Sequence, residues 1–241
     1  MKFSIITVCK NMGEELELSI QSVSKQSCSD FEYIVIDGMS TDKTTEIVKK
    51  YREYIDQYVR ENDSGIYEAM NKAINIAKGD YLFFLNAGDT FFDKDTLKKI
   101  SKNTLKEDLV YGNVVEVNGG QERLNKFDKV DKWFLIKNAI CHQAMFIHKN
   151  LFLEYGKYNT QNKIAADYEW LLRVWDKNII KKYIDLTIVR FLMGGKSSDQ
   201  KYRKLVLDEY DEIRKKYFNY CDICRYKIYA SLVKIYQKVK Q

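Results

Sequence analysis

The sequence predicts an α/β protein: a mainly parallel sheet flanked by helices, followed by a helical C-terminal extension. Three observations predict it. Short continuous apolar runs alternate with amphipathic helical patterns through the first half, as strands do when crossover helices cover both faces of a sheet. Aspartates stand just past the ends of such runs, at Asp37, Asp63 and Asp89, where open α/β sheets bind their ligands. From Asp199 onward the pattern is helical and rich in Tyr, Lys and Arg.

Taken in order, Phe3 to Val8 is a strand, and Leu16, Ile20 and Val23 give the next helix one apolar face. FEYIVI, Phe31 to Ile36, is the second strand. Thr41 or Asp42 can cap the following helix, whose stripe is Ile47, Val48, Tyr51 and Ile55. A short strand near Tyr58 and Val59 leads to a helix carrying Ile66, Met70, Ala73, Ile74 and Ala77. Tyr81 to Leu85 is the next strand, ending in Asn86, Ala87, Gly88 and Asp89, and a helix runs from about Asp93 to Lys102. The second half is less regular. Leu109 to Val117 and Gln143 to His148 read as strands, Asp167 to Trp175 as a helix, and Thr187 to Met193 as a strand entering GGKSS. No repeat or linker interrupts the chain, so residues 1–198 read as one catalytic domain and 199–241 as its extension.

Bulk properties exclude several classes. With 241 residues, 45% hydrophobic and 31% charged, the chain has the composition of a folded soluble protein. No stretch approaches the ~20 apolar residues of a membrane span, and the apolar run after Lys2 is too short for a signal peptide. A cytoplasmic location is therefore expected. Five cysteines, an odd number, do not suggest a disulfide framework. Cys221 and Cys224 form a CxxC, but it lies in a helical pattern without the preceding strand of a redox motif. A zinc site would want a second ligand pair, and the only histidines are His142 and His148. From Lys201 onward, eleven Lys and Arg face five Asp and Glu, which accounts for the whole net charge of +6. Such a tail bears on anionic partners rather than on fold.

The loop IDGMSTDKT places Asp37, Gly38, Ser40 and Asp42 at a strand-to-helix turn, where acceptors can take a ribose or a base, or where Asp42 simply caps its helix. There is no GxGxxG after the first strand, against a dinucleotide oxidoreductase. In ENDSGIYEAMNKAINIAKGDY, Asp63 and Ser64 suit a helix N-cap and Gly65 a tight turn. Asn71 and Lys72 face either a pocket or solvent.

SIITVCKN, Gln26-Ser27, YIVIDGMSTDKT, ENDSGIYEAMNKAINIAKGDYLFFLNAGD, CHQAMF, ADYEWLLR and GGKSS occur in order. Together they resemble a family 2 glycosyltransferase of the GT-A fold, with a Rossmann-like nucleotide-binding half. The resemblance covers roughly residues 2 to 198 and is nearest the branch that builds bacterial O-antigen and capsular polysaccharide. It implies inverting transfer of a sugar from a nucleotide-diphosphate donor, by family default a uridine one, to a glycan or lipid-linked acceptor, with no nucleic-acid partner. Such a reaction needs the leaving diphosphate neutralised, the nucleotide positioned, and a carboxylate to take the acceptor proton.

By resemblance, Asp167 in ADYEWLLR is that base, although a carboxylate there can also be a helix cap; Glu169 is the second choice. Mg²⁺ or Mn²⁺ would be held through Asp89 and the donor's own phosphates, since the pattern commonly written Asp-Ser-Asp-Asp reads Asn86-Ala87-Gly88-Asp89 here. Nucleotide contacts fall to Thr7, Asp37, Asp63, Asn71 and Lys72. Gly38 departs from relatives that carry a second acid after the first. His142 contacts the diphosphate or packs and hydrogen-bonds, Asn86 lies beside the donor, and Lys196 in GGKSS belongs to a loop able to close on it. The basic, tyrosine-rich extension suits an anionic membrane surface, packing on the domain, or a homodimer. A sugar nucleotidyltransferase would want a glycine-rich basic loop where residues 9–15 read CKNMGEE. An inactive sugar-nucleotide binder is the alternative that the thinned acidic motif favours.

Overall fold

The computed structural model describes residues 2–103, 106–195 and 199–239. The chain runs β1 (Phe3–Cys9), α1 (Gly13–Ser24), β2 (Phe31–Asp37), α2 (Thr44–Lys50), β3 (Gln57–Arg60), α3 (Ile66–Ile76), β4 (Tyr81–Phe84), β5 (Thr90–Phe91) and α4 (Thr96–Ser101). It continues β6 (Leu109–Asn118), β7 (Gln121–Asn125), α5 (Lys132–Lys137), β8 (Met145–His148), α6 (Lys149–Tyr155), α7 (Ala166–Trp175), β9 (Lys181–Leu192), α8 (Arg203–Tyr217) and α9 (Tyr220–Val239).

One sheet orders its strands β3-β2-β1-β4-β8-β6-β9-β5, with β7 on the side of β6. The first four are mutually parallel, and β1 and β4 are buried at every residue. This is why they read as unbroken apolar runs. Beyond β4 the sheet is mixed: β8 runs antiparallel to both β4 and β6, while β9 is parallel to β6. Phe83 joins the halves, stacking on Phe146 with ring centroids 4.3 Å apart. Burying each such side chain contributes roughly 1.5–3 kcal/mol.

Several elements escape the sequence pattern. The β6–β7 hairpin turns on Gly119 and Gly120, both at positive φ, the two-residue turn that Asn-Gly-Gly encodes. Strand β9 begins at Lys181 rather than Thr187, because its pairing with β6 slips across Gly112. A Cβ at Gly112 would stand 2.6 Å from the Leu186 carbonyl oxygen. The short helices α5 and α6 and the short strand β5 have too few residues to show a period.

The extension divides into two helices that behave differently. Helix α8 is bound into the domain: Ile213 and Phe218 join the core, and Tyr210 stacks on Tyr168 at 4.6 Å. Arg214 Nε donates to the Ile136 carbonyl at 2.8 Å, and its guanidinium covers Tyr226 of α9. Helix α9 lies against α5 through Trp133, which receives Arg225 and Tyr229. Its outer side leaves Ile228, Leu232, Ile235 and Tyr236 exposed. No helix among the described residues is long and apolar enough to cross a membrane. Cys221 and Cys224 are free thiols on α9. Lys196 and the rest of KSS lie outside the described residues.

Candidate functional site

Strands β1, β2 and β4 run parallel and end at one edge of the sheet, and the start of α7 is tied to the turn after β4 through His142 and Asn86. Asp167 is the second residue of α7. Ala165 occupies the N-cap position, so the carboxylate is not spent on capping. Asp167 Oδ1 accepts from the Tyr67 hydroxyl and the Tyr168 amide, both at 2.9 Å, and Oδ2 pairs with His142 Nδ1 at 2.9 Å. Burial raises its pKa, but the hydrogen bonds from His142, the Tyr67 hydroxyl and the Tyr168 amide outweigh it and hold the carboxyl below its ordinary range. Its side chain keeps 15% of its surface open. A carboxylate offers about four acceptor positions; three are filled, which leaves one for an incoming hydroxyl.

His142 sits in a one-turn 3₁₀ helix after α5 and is buried. Its Nε2 faces Asn86 Nδ2 at 2.9 Å. The positions read as donor contacts, Asn86 and His142, are thus joined to Asp167. Glu169 is carried elsewhere by the turn of the helix. Its buried carboxylate takes Arg173 of α7 and both Lys216 and Tyr217 of α8. Burial opposes that charge, yet Tyr217, Lys216 and Arg173 pull its pKa down. Glu169 ties α7 to α8 and does not reach the site.

Asp89 is 2% exposed. Oδ2 accepts from Gln143 Nε2 at 3.0 Å and Oδ1 from the Leu192 amide at 2.9 Å. Burial lifts its pKa to about 6, against those two hydrogen bonds. A divalent ion wants several oxygens with negative charge. Here both oxygens of the single acid are engaged by neutral donors, and among the described residues no group of three or more His, Cys, Asp or Glu is placed to hold a metal. These residues do not by themselves make a cation site.

On the nucleotide side, Asp37 is buried beneath its loop. It accepts from the Ser40 amide and the Tyr58 hydroxyl, each at 2.8 Å, and pairs with Arg60 at 3.3 Å. Asp63 is half-buried, with Oδ1 on the Gly65 amide at 3.1 Å. Its Oδ2 lies 2.4 Å from where a Cβ on Gly38 would stand. Gly38 is therefore the residue that lets Asp63 approach, and any side chain there would displace it. Asn11, which sequence reasoning did not single out, knits the first two loops together. It stands at φ 53° and accepts from the Thr41 amide at 2.7 Å. Asp42 bridges the starts of α1 and α2 through the Gly13 and Thr44 amides.

Three candidates have their polar atoms engaged by the chain itself, Thr7 and Asn71 inside it and Lys72 at the surface. The Thr7 hydroxyl donates to the Leu85 carbonyl at 2.6 Å and accepts from Tyr33. Both ends of the Asn71 amide bind the backbone of Tyr158. Lys72 pairs with Glu61, Glu68 and the Asn62 carbonyl. Their motif positions place them near the site, while burial and available partners decide where the polar atoms point. Glu209 is the residue no motif signalled. From α8 it accepts three successive amides, Lys163, Ile164 and Ala165, at 2.6–3.0 Å, and so fixes the backbone that enters α7.

Residues 4–174 match the family model described as glycosyl transferase family 2. The chain is 32% identical over 204 residues to the PGL/p-HBAD biosynthesis glycosyltransferase of Mycobacterium tuberculosis, covering 81% of this chain and 79% of that one. Among solved structures, S. aureus TarS 1-349 in complex with UDP-GlcNAc superposes with a TM-score of 0.70 at 21% identity, over 81% of this chain but only 59% of that chain. The mannosyltransferase PcManGT from Pyrobaculum calidifontis, in complex with GDP-Man and Mn²⁺, gives 0.61 at 14% identity, over 96% and 80%. Those two likenesses show the fold.

Proposed function

The chain belongs to glycosyl transferase family 2, and from that premise we propose an inverting transferase. It moves a sugar from a nucleoside-diphosphate donor, with uridine the expected base, to a hydroxyl of a glycan or lipid-linked acceptor in cell-surface polysaccharide synthesis of the O-antigen or capsule kind. The observation that carries this reading is Asp167: a carboxylate held ionised by three donors, with surface still open.

In this scheme the acceptor O–H gives its proton to Asp167 as its oxygen bonds to the anomeric carbon. The bond from that carbon to the diphosphate breaks, and its electron pair leaves with the nucleoside diphosphate. Attack opposite the leaving group inverts the anomeric centre. Asp63, lying over Gly38, is the carboxylate best placed for the nucleoside, while Asp37 holds the loop from below. No step runs through a metal held by the chain. Mg²⁺ or Mn²⁺ neutralises phosphate charge when bound, and the residues around Asp89 are compatible with an ion that arrives on the donor's diphosphate. The P. calidifontis structure, in complex with GDP-Man and Mn²⁺, supports use of a divalent ion.

The exposed apolar side of α9 supports peripheral contact with a membrane, and with a lipid-linked acceptor the proposed place is the cytoplasmic face. An inactive sugar-nucleotide binder is the second reading, favoured by the full engagement of Asp89. A thermal-shift screen of nucleotide sugars with and without Mn²⁺, followed by turnover on lipid-linked acceptors, tests both. Stabilisation by one donor class with turnover is the expected result. Stabilisation without turnover on any acceptor favours the binder, and no response to any nucleotide sugar contradicts both.

A further inference from the structure

We propose that Asn86 and His142 are positioning residues for the base: Asn86 fixes the tautomer of His142, and His142 in turn orients Asp167. The inference deepens the transferase reading and rests on it for its catalytic meaning. The three side chains come from separate segments, the turn after β4, the 3₁₀ helix before β8, and the first turn of α7. They form one hydrogen-bonded line, Asn86 Nδ2 to His142 Nε2 at 2.9 Å and His142 Nδ1 to Asp167 Oδ2 at 2.9 Å.

The direction of this line follows from the amide. Asn86 turns its nitrogen to the ring, and its Oδ1 is buried with no partner among the described residues. Rotating the amide would instead bury an NH₂ group with two unpaired donors, which costs more than one lone carbonyl oxygen. An amide nitrogen only donates, so Nε2 must present its lone pair and the ring proton must sit on Nδ1. That N–H then points at Asp167, which can only accept. In serine hydrolases a carboxylate fixes the histidine; here an amide fixes the histidine, and the histidine fixes the carboxylate.

His142 is buried, with its ring edge-on to Phe84 at 6.4 Å, so it acts through Asp167 and not on substrate. A carboxylate at position 86 would invite a second proton onto the ring and set an imidazolium against the base, weakening it as a proton acceptor. The loss of acid at position 86 therefore suits the base. The other titratable groups around the pair are Asp89, Tyr67, Cys141, Tyr158 and Tyr210. Burial pushes the thiol and the three phenols upward, which keeps them neutral.

The test is direct because the chain has only two histidines. His148 Nδ1 accepts from the Asn150 amide at 3.3 Å, which demands the opposite tautomer. Imidazole ¹⁵N–¹H NMR of the wild-type protein at neutral pH, assigned with His148→Gln, should show His142 as Nδ1–H and His148 as Nε2–H. An Nε2–H or doubly protonated His142 overturns the proposal. This readout needs no substrate, so its failure is distinct from an absence of sugar transfer. In turnover, His142→Gln should lower kcat roughly 10–100-fold with donor KM unchanged. It should also move the acid limb of the kcat/KM profile to higher pH, because a freely rotating amide holds the carboxylate less well than the imidazole N–H fixed by Asn86. Asn86→Asp should likewise lower kcat. An acid limb that stays in place for His142→Gln overturns the positioning role.

Discussion

Asp89 and Asp167 belong to one cluster yet respond to pH in opposite senses. Between its ordinary value of 3.8 and about 6, folded Asp89 keeps a proton that the unfolded chain has released. Its contribution to stability therefore falls as pH rises across that window, by at most about 3 kcal/mol. Asp167 is depressed, so its contribution is intact at neutral pH and is lost in acid, as pH falls below 3.8 and through its folded value. Urea midpoints of wild type and Asp89→Asn from pH 4 to 7 check the first claim. The difference between them should slope with pH, whereas a pH-independent offset would mean only a lost acceptor. At this scale Asp167 was singled out by the resemblance of ADYEWLLR to a family motif, since a carboxylate opening a helix reads locally as a cap just as well, and only the structure puts Ala165 at that cap. It did not show that Thr7 and Asn71 turn inward, since their partners, Leu85, Tyr33 and Tyr158, are remote in sequence. Nor did it show that Gly38 yields its space to Asp63, which only the packed loop reveals.

Helix α8 is the element whose role the sequence concealed most. Its basic, tyrosine-rich pattern left membrane contact, packing and a homodimer open, and α8 packs, with Glu209 clamping the three amides that lead into α7. Glu209→Ala leaves those amides unpaired and should cost roughly 2–4 kcal/mol, visible as a lower unfolding midpoint. If the residual protein folds, kcat should fall more than donor affinity, because the segment positions Asp167. An unchanged midpoint would show that water or neighbouring side chains replace the clamp. The parallel strands β1, β2 and β4 were legible because burial on both faces writes a continuous apolar run. The first half of the bulged β9, Lys181 to Leu186, and the hairpin partner β7 were not, because their pairing depends on register with β6 and leaves little local period.

For the molecule as a whole, the net charge of +6 resides in the residues from Lys201 onward, and the two helices there divide its duties. Helix α8 completes the core, while from Ile223 to the end of the chain no acid offsets the lysines and arginines. Each well-placed Lys or Arg contributes ~1 kcal/mol at an anionic surface, and Ile228, Leu232 and Ile235 offer apolar contact beside them. Shortening the chain at residue 198 would remove core side chains, so the appropriate comparison is wild type against Ile228→Ser, Leu232→Ser and Ile235→Ser combined. Wild type should float with anionic vesicles and the triple variant should not; wild type that stays off them refutes the membrane role. Divalent-ion binding is likewise a property of the complex in this account. Mn²⁺ should bind weakly to the protein alone and markedly tighter with the nucleoside diphosphate present, as titration calorimetry would show. Equal affinity in both cases would mean a metal site independent of the donor.

The central claim, that Asp167 takes the acceptor proton in a sugar transfer, is tested most directly by Asp167→Asn, measured for donor binding and for turnover on the same preparation. The nucleotide sugar should bind with nearly unchanged affinity while transfer falls ~10²–10⁴-fold. Transfer at close to the wild-type rate, or loss of donor binding in step with transfer, would contradict it.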